Sequence, residues 1–480
     1  MKKYIGLLLS LAIFLSTAWS VNAQGEDHSL EGDSIYYVLV DRFTNGSSEN
    51  DFEIDIDDPN AYHGGDIQGV ISKLDYIQGL GFTTINLSPI MESNDASYHG
   101  FFTEDYQVIE DQFGTFSDLD ELVEQAHKRN MKVVMDFVVT HTSPDHTWLQ
   151  GYEDWIEGTV NNHWGEKLPR PDLNQPEVQQ YFYDSAAFWI EKAGIDGYRL
   201  YVDEQTPAQF VEGFENKVLE VNENAKVFVD SYNSLNQPST NSEWKQVASD
   251  VFRNAGNSLE PLIELSLTDQ DTTQLKYLDS ITSTRFTREA VKQEQNPSTR
   301  WKLALTYLYT IPGTPVIYQG TEVPMDNGVD RPDHRMAQVN NGDDELRSYM
   351  EQLSAIRKEF PALTNGNLEV VENNGAMSLF KRENEEETVY IAINNDTETK
   401  TIALTDITKG MQLTGLLQDS IIRPLENGEY RIALERETAD IFIVEEDTGL
   451  NWLFISFVVL VLGGFVFAVI YLSIKGKRKV

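Results

Sequence analysis

The sequence predicts an α/β protein made of a (β/α)8 barrel of the TIM type followed by a small antiparallel β-sandwich. Short apolar runs alternate with amphipathic helical stretches from about residue 34 to about residue 360, which is the pattern of parallel strands joined by crossover helices. From about residue 366 the apolar residues recur at every second position between turns, as in antiparallel strands. The 480 residues are enough for two or three domains.

Eight apolar runs are the candidate barrel strands. They lie at 34–40, 83–89, 132–139, 194–200, 226–231, 250–254, 274–281 and 314–320. Helical stretches separate them; in 118–130, for example, apolar residues recur at i, i+3, i+4 and i+7. We therefore assign residues 24–360 to the barrel. The longer, polar stretch 142–180 after the third run is expected to form a short inserted subdomain.

The region 366–446 is expected to form the C-terminal β-sandwich. Its runs NLEVVENN, AMSLFKREN, ETVYIAINND and TADIFIVEED alternate apolar and polar residues. This period of two places one face of each strand in a core and the other in water.

Both ends of the sequence carry apolar runs. Residues 1–23 have the basic start, apolar run and small-residue end of a signal peptide, so we expect cleavage before Gln24. The run 452–474 has no charged residue and is long enough to span a bilayer core of about 30 Å. The basic tail 475–480 favours a cytoplasmic C-terminus. The sequence thus predicts a single-pass cell-membrane protein whose N-terminal domain is extracellular.

Charge and cysteine usage exclude some function classes. The chain has 77 acidic and 37 basic side chains, a formal net charge of −40. Nucleic acids require a basic face, so a nucleic-acid partner is excluded. The chain has no cysteine, which excludes disulfides and thiol chemistry.

Several segments occur in an order that resembles the alpha-amylase family (glycoside hydrolase family 13). They are SIYYVLVDRFTNG (34–46), YHGGDIQGVISKLDYIQGLGFTTINLSPI (62–90), YHGFFTEDYQVIEDQFGT (98–115), MKVVMDFVVTH (131–141), RPDLNQPEV (170–178) and GTPVIYQGTE (313–322). The resemblance covers nearly all of residues 24–451. It implies the barrel, the C-terminal sandwich and action on alpha-glucans.

The three catalytic acids of that family have no counterpart at the matching positions. The family's patterns run roughly G-F-R-x-D, F-x-x-G-E and x-D-N-H-D-x-x-R-F, and the matching segments here are GIDGYRLY, KVFVDSY and LDSITSTRFT. Tyr201, Ser231 and Thr282 therefore stand where Asp, Glu and Asp are expected. Retaining glycoside hydrolysis needs two carboxyl groups about 5 Å apart, which these side chains do not supply. Other departures cluster at the same mouth: Thr140, Glu204, Gln205, Ser280 and Ile281.

Three nearby carboxylates are fallback candidates for catalysis. Asp203 follows the nucleophile position by two residues, and we expect the strand to turn before it. Asp230 precedes the acid position by one residue, so strand alternation is expected to point it away from the barrel mouth. Asp271 becomes the third acid if TDQDT (268–272) is aligned with the family's D-N-H-D-T.

The resemblance also implies substrate-binding and metal-binding residues. His99 and His141 match the family's sugar-contacting histidines, although Phe101 replaces a stacking Tyr. Arg199 matches the arginine that pairs with the nucleophile, and we expect it to meet the oxygen or ring of Tyr201 instead. The segments 45–51 and 64–66 resemble a calcium loop. Its expected oxygen donors are Asn45, Asn50, Asp51 and Asp66.

Two functions remain open from the sequence. The first is a membrane-anchored extracellular member of the family that cannot hydrolyse by the family mechanism. It would bind an alpha-glucan or an unknown surface protein, with calcium as the expected cofactor. The second is an active alpha-amylase-like hydrolase of alpha-1,4-glucans that uses displaced carboxylates.

Overall fold

The computed structural model describes residues 32–94, 97–162, 165–231, 240–326, 334–339, 344–447, 449 and 452–477. The expected signal peptide, 1–23, lies outside these residues.

The larger part of the chain folds around a nearly closed barrel of parallel strands. In chain order, and here called the first to the seventh barrel strand, these are Ile35–Val38, Thr84–Leu87, Lys132–Val138, Gly197–Val202, Lys226–Ser231, Leu275–Lys276 and Thr314–Tyr318. The hydrogen-bonded order is sixth, seventh, first, second, third, fourth, fifth, and all of these pairings are parallel. Seven of the eight expected runs thus form barrel strands.

The remaining expected run, 250–254, does not form a strand. Its first residues end the helix Thr240–Phe252. Trp244, Ala248 and Val251 of this helix are all buried, and their spacing of four and then three residues is the helical one. The prediction was wrong because a short apolar run was read without the residues before it. The strand ladder is therefore interrupted between the fifth and sixth barrel strands.

Helices and two hairpins surround the barrel strands. The helices are Ile67–Ile71, Leu74–Gly79, Phe116–His127, Pro176–Ala193, Ala208–Val221, Thr240–Phe252, Glu260–Thr268, Phe286–Lys292, Pro297–Thr310, Asp344–Glu359 and Ala362–Asn365. One hairpin pairs Met91–Ser93 with Thr103–Ile109. The other pairs Ile156–Asn161 with Lys167–Pro171 and lies within the expected inserted subdomain.

The C-terminal region is an antiparallel sheet domain. Its strands are Asn367–Asn374, Met377–Glu383, Thr388–Asn394, Lys400–Leu404, Met411–Gly415, Ile421–Ile422, Tyr430–Leu434 and Thr438–Glu446. Six of them form one sheet, and Lys400–Leu404 pairs with Tyr430–Leu434 in a separate two-stranded sheet. Side chains of both sheets share one apolar core, which includes Leu379, Ile402 and Ile432. Burial of this core holds the two sheets together.

One buried asparagine joins the C-terminal domain to the barrel helices. The Asn395 side chain donates to the carbonyl oxygens of Val251 (3.2 Å) and Asn257 (2.9 Å). Its Oδ1 accepts from Arg300 Nη1 at 2.6 Å. Both Asn395 and Arg300 are fully buried, so these hydrogen bonds have no competition from water.

The expected membrane anchor is corrected by the structure. Within the described residues, no helix combines the length and the apolarity needed to cross a bilayer. A helix does form at Trp452–Lys477. The predictions of a membrane helix at 452–474 and of a single-pass cell-membrane location were wrong.

Candidate active site

The third, fourth and fifth barrel strands place four functional side chains on one face. Asp136 is level with Arg199, and Tyr201 is level with Asp230. Residues at the same level on neighbouring parallel strands point to the same side of the sheet. All four side chains are buried, and they form the candidate site near the carboxyl ends of the strands, where barrel enzymes carry their active sites.

Asp230 lies inside the barrel beside Arg199. Arg199 Nε donates to Asp230 Oδ2 at 2.9 Å, and the Nη2 group makes a second contact with the same oxygen. The Tyr277 hydroxyl lies 3.2 Å from that oxygen. The expectation that Asp230 points away from the mouth was wrong, because the inward-facing positions of this strand are shifted by one residue from those assumed. Inward residues of this strand are Phe228 and Asp230, whereas Val229 is 46% exposed.

Tyr201 stands at the family's nucleophile position and cannot act as a nucleophile. Its ring centroid is 5.3 Å from that of Phe101 and 4.9 Å from the Arg199 guanidinium carbon, so the expected contact between Arg199 and the ring is present. Burial raises the pKa of Tyr201 well above its ordinary value. The phenol therefore stays neutral at any physiological pH.

The other two replaced positions carry only hydroxyls. Ser231 ends the fifth barrel strand, and its backbone N–H donates to Asp230 Oδ1 at 2.8 Å. Thr282 Oγ1 is 3.2 Å from Ser280 Oγ. Neither hydroxyl can supply a carboxylate, so Asp230 is the acidic side chain that the fifth strand contributes to the site.

The remaining fallback acids lie elsewhere. Asp203 follows the end of the fourth barrel strand, and its carboxylate accepts from Arg170 Nη1 at 2.8 Å and from Thr206. Arg170 belongs to the hairpin strand Lys167–Pro171, so this pair ties the hairpin to the barrel. Asp271 precedes the sixth strand and accepts from Thr273. It is therefore at the amino end of the barrel, opposite the candidate site.

His99 and His141 are both fully or almost fully buried near the ring of Phe102. His99 Nδ1 accepts from the backbone N–H of Phe101 at 3.1 Å, and His141 Nδ1 is 2.9 Å from Thr140 Oγ1. Burial lowers the pKa of His99 well below its usual value and that of His141 to about 3. Both rings are therefore neutral and can exchange hydrogen bonds with hydroxyl groups.

Three further residues belong to the site. Asp136 accepts from Asn86 Nδ2 at 2.7 Å, and burial raises the pKa of Asp136 to about 6. Tyr277 and Lys245 approach Asp230 from the sixth strand and the helix Thr240–Phe252. The sequence analysis missed both: Lys245 because its helix was expected to contain a strand, and Tyr277 because no family motif marks it within the run 274–281. The buried positions 244, 248 and 251 of that helix were the available signal.

The expected calcium loop offers oxygen atoms that suit the ion. Asn45 Nδ2 donates to Asp51 Oδ1 at 2.7 Å. Asn50 Oδ1 is buried with no hydrogen-bond partner in the described part of the chain. Asp66 accepts from the backbone N–H groups of Ser47 and Gly69 and so caps the helix Ile67–Ile71. Calcium prefers hard oxygen donors of this kind, so the residues fit the ion.

Acidic and histidine side chains alone do not make a metal centre here. Among the residues that the structure describes, no three His, Cys, Asp or Glu side chains converge on one point. A calcium site at this loop would therefore depend on amide and backbone oxygens besides Asp51.

Two family models match the chain. The alpha-amylase catalytic domain matches residues 37–169, and the alpha-amylase C-terminal domain matches residues 366–442. The first match begins within the first barrel strand and contains the second and third, and the second match contains most of the antiparallel sheet domain.

Solved structures are similar over most of the chain. An Anoxybacillus alpha-amylase is 38% identical, with a TM-score of 0.81 over 87% of this chain and 99% of that chain. The alpha-amylase of Geobacillus thermoleovorans, solved with acarbose, is 32% identical, with a TM-score of 0.79 and the same coverage. A beta/alpha-amylase of Paenibacillus polymyxa is 28% identical over 85% of this chain, which spans 37% of that longer protein.

Proposed function

Because the chain belongs to the alpha-amylase family, we propose that it hydrolyses alpha-1,4-glucans with a displaced carboxylate. Relatives that are 38% and 32% identical and are matched over almost their whole length are named alpha-amylases. The family's barrel frame is retained, which supports a shared substrate class. Fold alone does not fix chemistry, so the proposal depends on the side chains of the site.

The pairing of Asp230 with Arg199 is the observation that supports the proposal. The Asp230 carboxylate and the Arg199 guanidinium form a buried ion pair. An ionised carboxylate next to the sugar can stabilise the oxocarbenium-like transition state or form a covalent glycosyl ester. The family pattern has a negatively charged Asp on the fourth strand, where this chain has Tyr201. Asp230 on the fifth strand therefore supplies the negative charge instead.

The neutral side chains of the site would hold the sugar. His99 and His141 can exchange hydrogen bonds with glucose hydroxyls without adding charge. The rings of Phe101 and Tyr201 meet edge to face, and aromatic faces and edges pack against the apolar face of a sugar ring. The substrate class proposed is thus a neutral glucan chain.

A second candidate is a glucan-binding protein without turnover, and Tyr201 favours it. Loss of one group of a catalytic set costs several orders of magnitude in rate. A site in which Asp230 only neutralises Arg199 would bind a glucan and leave it intact.

An assay of reducing ends separates the two candidates. The full-length protein is incubated with starch and with maltooligosaccharides, and new reducing ends are measured. We expect turnover that Asp230→Asn lowers at least about 1,000-fold. The matched control is Asp271→Asn at the opposite end of the barrel, which should keep wild-type turnover. Starch that retains the wild-type protein but is never cleaved would establish the second candidate and sink the first.

We further propose that the loop 45–51 binds calcium. Asn50 and Asp51 would hold the ion, with Asn45 and Asp66 shaping the loop around it. The role would be structural, because Asp66 fixes the helix Ile67–Ile71 that follows.

A further inference from the structure

The interruption of the barrel ladder brings an unexpected cation to the site. The helix Thr240–Phe252 lies between the fifth and sixth barrel strands in the chain and packs on the sixth strand. Trp244, Ala248, Val251 and Phe252 of this helix are buried. Lys245, next to Trp244, is half-buried, so its side chain can meet both the site and solvent.

The tip of Lys245 faces the group that contacts Asp230. Lys245 Nζ lies 6.0 Å from the centroid of the Tyr277 ring. The hydroxyl of the same ring donates to Asp230, with an oxygen separation of 3.2 Å. The ammonium group and the carboxylate are therefore both neighbours of the Tyr277 side chain.

Among the described residues, four charged or titratable groups face Lys245. They are Asp230, Asp279, Arg199 and Tyr277. Asp279 is already held by Arg285 and by the backbone N–H of Phe286. Burial lowers the pKa of Lys245 and outweighs the two carboxylates, which raise it. A lysine with a lowered pKa is a better proton donor near neutral pH than an exposed one.

We infer that Lys245 is the proton donor of the proposed hydrolysis, in place of the glutamic acid that the family pattern carries. The inference rests on the proposed function, because a donor acts only if a glycosidic bond is broken. It also explains how a site without the glutamic acid of the family pattern can complete the reaction.

The step balances in two stages. Asp230 attacks the anomeric carbon and forms an ester, the bond from that carbon to the glycosidic oxygen breaks, and its electron pair leaves with the oxygen. The Lys245 ammonium gives that oxygen a proton. Water then loses a proton to the Lys245 amine and attacks the anomeric carbon. The ester opens, and both Asp230 and the ammonium group are restored.

Leaving-group dependence tests the inference. The full-length protein is assayed on maltooligosaccharides and on a 4-nitrophenyl maltooligosaccharide, whose acidic phenol leaves without a donated proton. Lys245→Gln should lose about 100-fold or more in kcat/KM on the natural glucan and less than about threefold in kcat/KM on the nitrophenyl substrate, because kcat/KM covers only the steps up to the departure of the leaving group. Lys245→Arg keeps the charge but cannot release a proton near neutral pH, so it should behave like Lys245→Gln. Gln246→Ala on the same helix is the control and should match the wild type.

The outcomes are distinct. Equal losses on both substrates would assign Lys245 a structural role and overturn the inference alone. Wild-type turnover in both Lys245→Gln and Lys245→Arg would also overturn the inference alone. A wild-type protein that cleaves neither substrate would overturn the proposed function together with the inference. Melting temperatures of the variants show whether each one is folded.

Discussion

Asp230 and Arg199 form a fully buried ion pair between neighbouring barrel strands, with 2.9 Å between Arg199 Nε and Asp230 Oδ2. A buried guanidinium without an anion costs several kcal/mol. The pair therefore fixes the electrostatics of the site as well as its geometry. It also leaves Tyr201, the neighbour of Asp230 in the sheet, free of any charge-balancing role.

Returning a carboxylate to position 201 should increase hydrolysis. Tyr201→Asp places an acid on the same strand as Arg199, two residues along it, and opens the space of the ring. We expect the rate on maltooligosaccharides to rise at least about tenfold, since a nucleophile would then stand where the family has one. Tyr201→Asn is the matched control of equal size without charge. Equal rates for the two variants would show that position 201 no longer faces the substrate.

Calcium should stabilise the protein through the loop 45–51. At a free calcium concentration of one hundred times Kd, the free energy of unfolding should rise by about 2.7 kcal/mol. The melting temperature with calcium is compared with that in a chelator. Asp51→Ala should abolish the difference, whereas Asp57→Ala, an exposed acid of the next turn, should keep it. Equal melting temperatures of the wild type with calcium and with the chelator would refute the site.

Asn395 should be critical for the stability of the whole chain. Asn395→Ala leaves Arg300 Nη1 and the carbonyl oxygens of Val251 and Asn257 without their partner in a buried place. We expect a loss of about 3 kcal/mol in the free energy of unfolding, seen as a lower urea midpoint. Asn374→Ala, at an exposed position of the same domain, should change it by less than about 0.5 kcal/mol. Similar midpoints for both variants would contradict the packing described here.

His146 should make the protein sensitive to mild acid. Its ring is buried against Tyr106 and Trp148, and burial lowers the pKa of His146 to about 4. Between pH 6.5 and 4 the unfolded state binds the proton and the folded state does not. Stability therefore falls as the pH drops through this window, by up to about 3 kcal/mol.

Replacement of His146 tests whether its burial causes the fall in stability with falling pH. His146→Gln should weaken the dependence of the urea midpoint on pH between 6.5 and 4, and the part that remains should come from the buried His99 and His141, whose pKa values are also lowered. His127 is the opposite case, because its hydrogen bond to Asp196 raises the pKa of His127. Its stabilisation is complete below pH 6.5 and is lost as the pH rises through the raised pKa. His127→Gln should therefore lower stability in acid and leave the slope caused by His146 in place.

The sequence predicted the frame of the fold better than the details of the site. Seven barrel strands and the antiparallel domain follow from apolar runs and their period, since each buries a whole face. The strand at 250–254 failed because five residues cannot distinguish a strand from the last turn of a helix. Trp244, Ala248 and Val251 carry that distinction.

The prediction of the site was wrong at one point, the choice of which residue of the fifth barrel strand faces inward. Family patterns assigned the acid position to Ser231, whereas the pleat of the fifth barrel strand turns Asp230 inward. A shift of one residue exchanges the two faces of a strand. Lys245 could not be found from motifs, because it lies on a helix that the motifs do not describe. Tyr277 follows the sixth barrel strand, and no motif marks it either.

The Arg199–Asp230 pair has an evolutionary consequence. When the counter-ion of a buried arginine comes from the adjacent strand, the position two residues after that arginine is released from selection for charge. A saturation library at position 201 should therefore yield folded protein with most uncharged side chains, whereas position 230 should accept few uncharged side chains besides the isosteric Asn. Loss of the catalytic acid at position 201, and its later return, would then change the stability of the fold little.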